Sequence, residues 1–169
     1  MSNDLIAPED LGAFPGAPFS DEVVDAAVAG LRAAAGWHIA PSRTETVTVD
    51  SPGGYRLILD TLYLTAVNGV RNVLDVTPSE ITGVRFSKAG ILAGCFPCGF
   101  QSVEVDIMHG YAATPPDLLP LLASACQRIT VDTSVVASQG AGPFSVTFRD
   151  PATSSVDPGL ARYALPSRP

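Results

Sequence analysis

The stretch from Ser102 to Arg128 constrains this chain most, because its hydrophobic period changes within a few residues. Val103, Val105 and Ile107 alternate with Glu104, Asp106 and Met108, the period of a strand with one buried face. The run ends at His109-Gly110-Tyr111, where a residue without a side chain permits a turn. Pro115-Pro116-Asp117 then marks a helix start: proline suits the donor-free first turn, and the aspartate complements the positive helix end. Leu118, Leu119, Leu122, Ala125, Cys126 and Ile129 continue as one apolar helical face. A sheet must therefore meet a helix here, with Gly110 and Pro116 setting the joint.

A second apolar face precedes the sheet. Ser20 and Asp21 can cap a helix in which Val24, Ala27, Val28, Leu31 and Ala35 share one side and Gly36 is the C-cap. From Thr44 to Val49 the period is two, Ser51-Pro52-Gly53-Gly54 reads as a hairpin turn, and Tyr55 to Leu59 as its return strand. Leu62 to Val76, Glu80 to Ser87 and Ile91 to Phe96 add strand material. The expected fold class is α+β: a small helical bundle with a β-rich insertion between the first and second main helices. The bundle would use the first, second and C-terminal helical segments, with their apolar faces packed together.

Residues 1–19 read as an extended N-terminal arm, 20–156 as a single domain and 157–169 as a C-terminal docking segment. The arm contains Pro8, Gly12, Pro15, Gly16 and Pro18 without a sustained period, and Phe14 and Phe19 offer it docking side chains. Gln139 to Pro143 reads as a loop, Phe144 to Phe148 as a short strand, and Asp157 to Tyr163 as a last helical turn.

Only 16% of the 169 residues are charged, which leaves a charge-poor surface of the kind that meets other protein. The net charge of -7 excludes a tight nucleic-acid grip, which needs a basic stripe, but suits a wall that DNA passes without sticking. Asp4, Glu9, Asp10, Asp21, Glu22 and Asp25 all precede the first basic residue, Arg32. No apolar run reaches the roughly 18 to 20 residues of a membrane span, so no membrane partner and a soluble, intracellular protein are expected. Three cysteines fit a reducing compartment better than a disulfide scaffold.

Candidate chemistry is sparse. Cys95-Phe96-Pro97-Cys98 has the spacing of half a zinc site or a redox pair, which makes a metal-binding or thiol-redox module the alternative reading. Cys126, His38 and His109 are scattered singly, however, and Gly99-Phe100 leads into a strand and not a helix. Either histidine could be a general base, but no nucleophile elbow, HExxH or carboxylate cluster accompanies them. Gly140-Ala141-Gly142 lacks the helix and lysine of a phosphate cradle. No catalytic residue, metal or cofactor is assigned.

Several separate marks resemble the head-to-tail adaptor proteins of long-tailed actinobacterial bacteriophages. The first is the helix end Leu31-Arg32-Ala33-Ala34-Ala35 followed by Gly36-Trp37-His38-Ile39-Ala40-Pro41; the second is the leucine and valine pattern from Leu57 to Val73. Phe96-Pro97-Cys98-Gly99-Phe100 is similar to an aromatic-Pro-x-Gly-aromatic turn, with Phe replacing the usual Trp, and leads towards His109-Gly110-Tyr111. Gly142 to Phe148 and Leu160-Ala161-Arg162-Tyr163 complete the order. The resemblance implies a non-enzymatic virion protein forming a dodecameric ring under the portal. Its partners would be the portal protein, the next neck, stopper or tail component, and further copies of itself; DNA would pass through unbound. It would reside in the virion neck, and in the host cytoplasm during assembly. On this reading Gly36, Trp37, Gly99, His109, Gly110, Tyr111 and Pro116 are structural turn or joint residues. Leu160, Arg162, Tyr163, Leu165 and Arg168, basic and aromatic at the end of an acidic chain, would dock on the portal.

Overall fold

The computed structural model describes residues 5–135 and 159–166. Along the chain, helix α1 (Asp21–Ala35) precedes and helix α2 (Leu119–Val135) follows strands β1 (Arg43–Ile58), β2 (Leu64–Asn72), β3 (Ser79–Glu80), β4 (Arg85–Phe86) and β5 (Ile91–His109). The chain forms two compact units, one of residues 1–34 and 115–162 holding the helices, the other of residues 35–114 and 163–169 holding the sheet. It leaves the sheet unit at Thr114 and enters the helical unit at Pro115.

All pairing within the sheet is antiparallel, in the order β1-β5-β2-β3, and β4 pairs with β5 beside its N-terminal half. Alternation explains the two faces. Val47, Val105 and Val70 stand opposite one another across three strands, on the side that forms the core with Leu57, Leu59, Leu64, Leu92, Phe96, Val103 and Ile107. One residue along, Glu104 lies opposite Thr48 and Arg71 on the other face. There Arg71 bonds Glu104 and, at 2.5 Å, Asp106, which also accepts a 2.6 Å bond from Thr46. The Arg71 guanidinium is held above its usual pKa by the Glu104 hydrogen bond first and Asp106 next.

The expected hairpin at Ser51 to Gly54 does not form; β1 runs through it. Ser51 to Gly54 stays in register with Gly99 to Phe96, and at the shifts on either side, between Val49 and Ser51 and between Gly54 and Arg56, the extra residues lie on β5, so pairing continues from Arg43↔His109 to Ile58↔Ile91. A glycine turn reverses a chain only when its flanks pair with each other, and here both flanks pair with β5. The expected turn at Phe96 to Phe100 is likewise inside a strand. Its irregularity serves another purpose: buried residues of β5 are even-numbered at Leu92 and Phe96 but odd-numbered at Val103, Val105 and Ile107. A local slip near Gly99 and Gln101, whose φ is 45°, lets both halves face one core.

In the helical unit, the five apolar residues expected on the first helix, Val24, Ala27, Val28, Leu31 and Ala35, are all buried. A 3-10 turn at Pro116–Leu118 leads into α2, with Pro116 in its donor-free first turn. The expected helical bundle is absent from the described residues. Residues 159–163 form turns, and α2 is covered in part by the N-terminal segment: Gln127 donates to the Pro15 carbonyl, and Gly16 lies against the Gln127 and Phe19 side chains. That segment carries a 3-10 turn, Pro8–Leu11, and buries Leu5, Ile6, Leu11 and Phe19. Pro15 and Gly16 against Gln127 thus occupy part of the α2 surface. The loop at 139–143 and the strand at 144–148 lie outside the described residues.

Leu92→Ala, at a fully buried centre of the sheet core, is expected to cost about 2–5 kcal/mol in denaturant unfolding. Arg71→Ala, on the solvated face, should shift the unfolding midpoint far less than Leu92→Ala does.

Candidate functional site

The sheet unit gathers the residues singled out around its Gly36 to Pro41 and His109 to Tyr111 segments. Helix α1 ends at Ala35 because Gly36 adopts φ 79°. The chain then turns again at Ile39, whose φ of 66° is unusual for a β-branched residue and stores strain that its full burial sustains. Opposite, Gly110 has φ 97°, and a Cβ there would lie 3.0 Å from the Pro41 carbonyl and 3.1 Å from the Ile39 carbonyl. Glycine is therefore required by both conformation and space. Backbone bonds close the junction: Gly110 N–H donates to Tyr63 O and Tyr111 N–H to Ile39 O, each at 2.8 Å.

Aromatic rings fill this corner. Tyr111 stacks on Tyr63 at 4.2 Å, with Tyr163 edge-on at 6.0 Å and Trp37 tilted at 6.3 Å. The buried Trp37 indole donates a 2.6 Å bond to the Tyr163 carbonyl, and Leu165 N–H donates to Ala35 O at 2.8 Å. The Leu165 side chain lies 3.4 Å from where a Gly36 Cβ would stand. Residues 163–165 thus form part of the sheet unit. Leu160 is buried in the helical unit, where Arg162 also bonds Asp117 at 3.1 Å. Gly99 sits apart, in the β5 bulge, its carbonyl accepting from Ser102 Oγ. Arg168 lies outside the described residues.

His109 is buried. Its Nε2 donates to Glu45 at 3.1 Å, while Nδ1 finds no partner among the described residues. His38 approaches it with ring centres 5.8 Å apart, and the His38 Nε2–H donates to the Pro41 carbonyl. Burial alone would raise the Glu45 carboxyl, but the His109 bond and Arg43, 2.5 Å away, outweigh it and hold the group below its usual 4.5. The two histidines are built into the turn and the β1–β5 pairing. Nothing local in the sequence marks Tyr63 or Glu45 as belonging to this corner, because only the fold brings them to residues 109–111.

Cys95 and Cys98 are exposed free thiols on β5, beside its register shift. Cys126 is buried, and burial pushes its thiol up. Among the described residues no group of three or more His, Cys, Asp and Glu is placed to hold a metal. No described helix is long and apolar enough to cross a membrane.

Trp37→Phe should cost about 1 kcal/mol by losing the bond to Tyr163 and should speed proteolysis of the C-terminal segment. The lowered Glu45 pKa gives a stability contribution complete above its unfolded value and lost as pH falls through the lower folded value. Glu45→Gln should therefore flatten this part of the acid-side decline in a pH series of unfolding curves. An alkylating reagent at neutral pH should modify Cys95 and Cys98 in the folded chain and Cys126 only after denaturation.

No protein-family model and no curated protein matches the chain. Solved structures do. A chain in the neck of an empty gene transfer agent (GTA) particle, computed with C6 symmetry, matches with TM-score 0.59 and 17% identity over 99% of this chain and 95% of that one. A chain in the neck of the native GTA particle, computed with C12 symmetry, gives TM-score 0.55 and 19% identity over 88% and 85%. A chain of the native GTA virion gives 0.53 and 16% over 84% of each. The protein shares its fold with chains of these particles.

Proposed function

We propose that this chain is a structural neck protein of a virion or virion-like particle, a head-to-tail adaptor with no enzymatic activity. The observation that carries the reading is the fold match to a chain of a GTA neck across nearly the whole of both chains. The ordered sequence marks from Leu31 to Tyr163 support it independently. In this role copies form a ring, dodecameric by the sequence resemblance, beneath the portal, and connect it to the next neck or tail component. The C6 and C12 symmetries of the neck reconstructions are compatible with such a ring. Each copy presents one surface to a different surface of the next, a contact that closes by rotation. The acidic balance suits a passage through which DNA moves unbound. Assembly would take place in the host cytoplasm, and the finished ring would stay in the virion.

The C-terminal segment remains the proposed portal contact. Because Leu160 and Tyr163 are buried within their own chain, the docking charge falls to Arg162, whose side chain is 73% exposed, and to Arg168. The test is co-expression with the portal protein of the same particle, followed by sizing and negative-stain imaging. Wild type should co-purify as rings on the portal, and Arg162→Glu with Arg168→Glu should weaken that association about tenfold. Wild type that never meets the portal would overturn the role; unchanged attachment of the double variant would overturn only the docking segment.

A further inference from the structure

The sheet carries a basic row without a partner among the described residues. Arg56 on β1 lies opposite Ala93 on β5, which lies opposite Arg85 on β4. Residues directly opposite in antiparallel strands share a face, and Ala93 is next to the core residue Leu92, so this row points away from the core. All three residues are exposed. The arginines stand two strand spacings apart, roughly 9.5 Å between backbones, with only a methyl group between them. Arg43 and Arg71, elsewhere on this sheet, each hold a carboxylate, whereas among the described residues neither Arg56 nor Arg85 has an ion-pair or hydrogen-bond partner for its side chain. The next row on the same face is Ile58↔Ile91, and Ile58 is 53% exposed. Arginine beside exposed apolar surface is the composition of a protein interface.

We propose that the Arg56–Ala93–Arg85 row receives the acidic N-terminal segment of an adjacent copy of this chain, through Glu9, Asp21 and Glu22. The proposal rests on the ring reading and names the contact that closes it. Charge complementarity identifies the occupant. Glu9, Asp21 and Glu22 are exposed, and no basic residue precedes Arg32 to neutralise them. Copies of a chain with net charge -7 repel one another unless a basic surface of one meets an acidic surface of the next. The basic and acidic surfaces are different, so the contact is heterologous and propagates around a ring. Duplex DNA fits this row less well: a phosphate grip uses roughly six to ten cationic contacts, and the isoleucine row adds nothing to it.

The experiment uses two full-length variants whose changes lie at exposed positions. One carries Arg56→Glu and Arg85→Glu, the other Glu9→Arg, Asp21→Arg and Glu22→Arg. The arginine-row variant should keep the wild-type melting temperature, and the acidic-segment variant, which reverses both charges in the first turn of α1, should lose a few degrees; each alone should self-associate about 100-fold more weakly in sedimentation, while their equimolar mixture restores rings of alternating copies. Arg56→Ala with Arg85→Ala, which introduces no repulsion, should give an intermediate loss and stands in if the Glu variant misfolds. Wild-type association should weaken as salt rises. Variants that form rings as wild type does, or a mixture that restores nothing, overturn the pairing and leave the neck role standing. Intact rings with lost binding of a duplex oligonucleotide would reassign the row to DNA and overturn it as well. Wild type that forms no ring alone or on the portal would overturn the neck role together with the pairing.

Discussion

The sheet unit depends on β5 being paired on both sides. Its 19 residues hydrogen-bond to β1 along nearly their whole length, and to β4 and then β2 along the other edge. Because this strand is long and central, it fixes what its neighbours do. Ser51 to Gly54 cannot reverse the chain while Arg43 to Val49 and Arg56 to Ile58 are both held in its ladder, and a local slip near Gln101 keeps its two halves facing one core. The same strand ends at His109-Gly110, where the aromatic corner of Trp37, Tyr63, Tyr111 and Tyr163 is assembled.

Much of this was legible from periodicity. The buried faces of α1 and of β5 from Val103 to Ile107, the helix end at Gly36 and the donor-free turn at Pro116 all follow from local chemistry that the residues themselves carry. What could not be read was partner choice. Ser51-Pro52-Gly53-Gly54 has the composition of a hairpin, and only the strand beside it holds it extended and paired. The helical faces were equally clear, but the N-terminal segment competes for α2, as Gln127 against Pro15 and Gly16 illustrates. Tyr63, Glu45 and the Arg56–Ala93–Arg85 row emerge from register, which a single sequence leaves open when one partner is a two-residue strand.

Charge and covalent chemistry point the same way. The histidines are tied into a turn and a strand pair, the two exposed thiols are unpaired, and the ionic contacts at Arg71 and Glu45 secure strands. What remains unspent is surface: an acidic N-terminal segment, a basic row on the sheet, and exposed apolar residues such as Tyr55 and Phe100, at 81% and 87%. On the proposed reading, a subunit joined to copies of itself and to neighbours keeps such surfaces; the fold itself is shared with chains of GTA necks.

The most direct measurement of the proposed role is electron cryomicroscopy of virion-like particles purified from cells that produce this protein, with density at any head–tail junction resolved well enough to trace the chain. The account predicts a closed ring of copies between the portal and the next tail component, its DNA path unobstructed. Density for this chain elsewhere in the particle, or its absence from the neck, would contradict it.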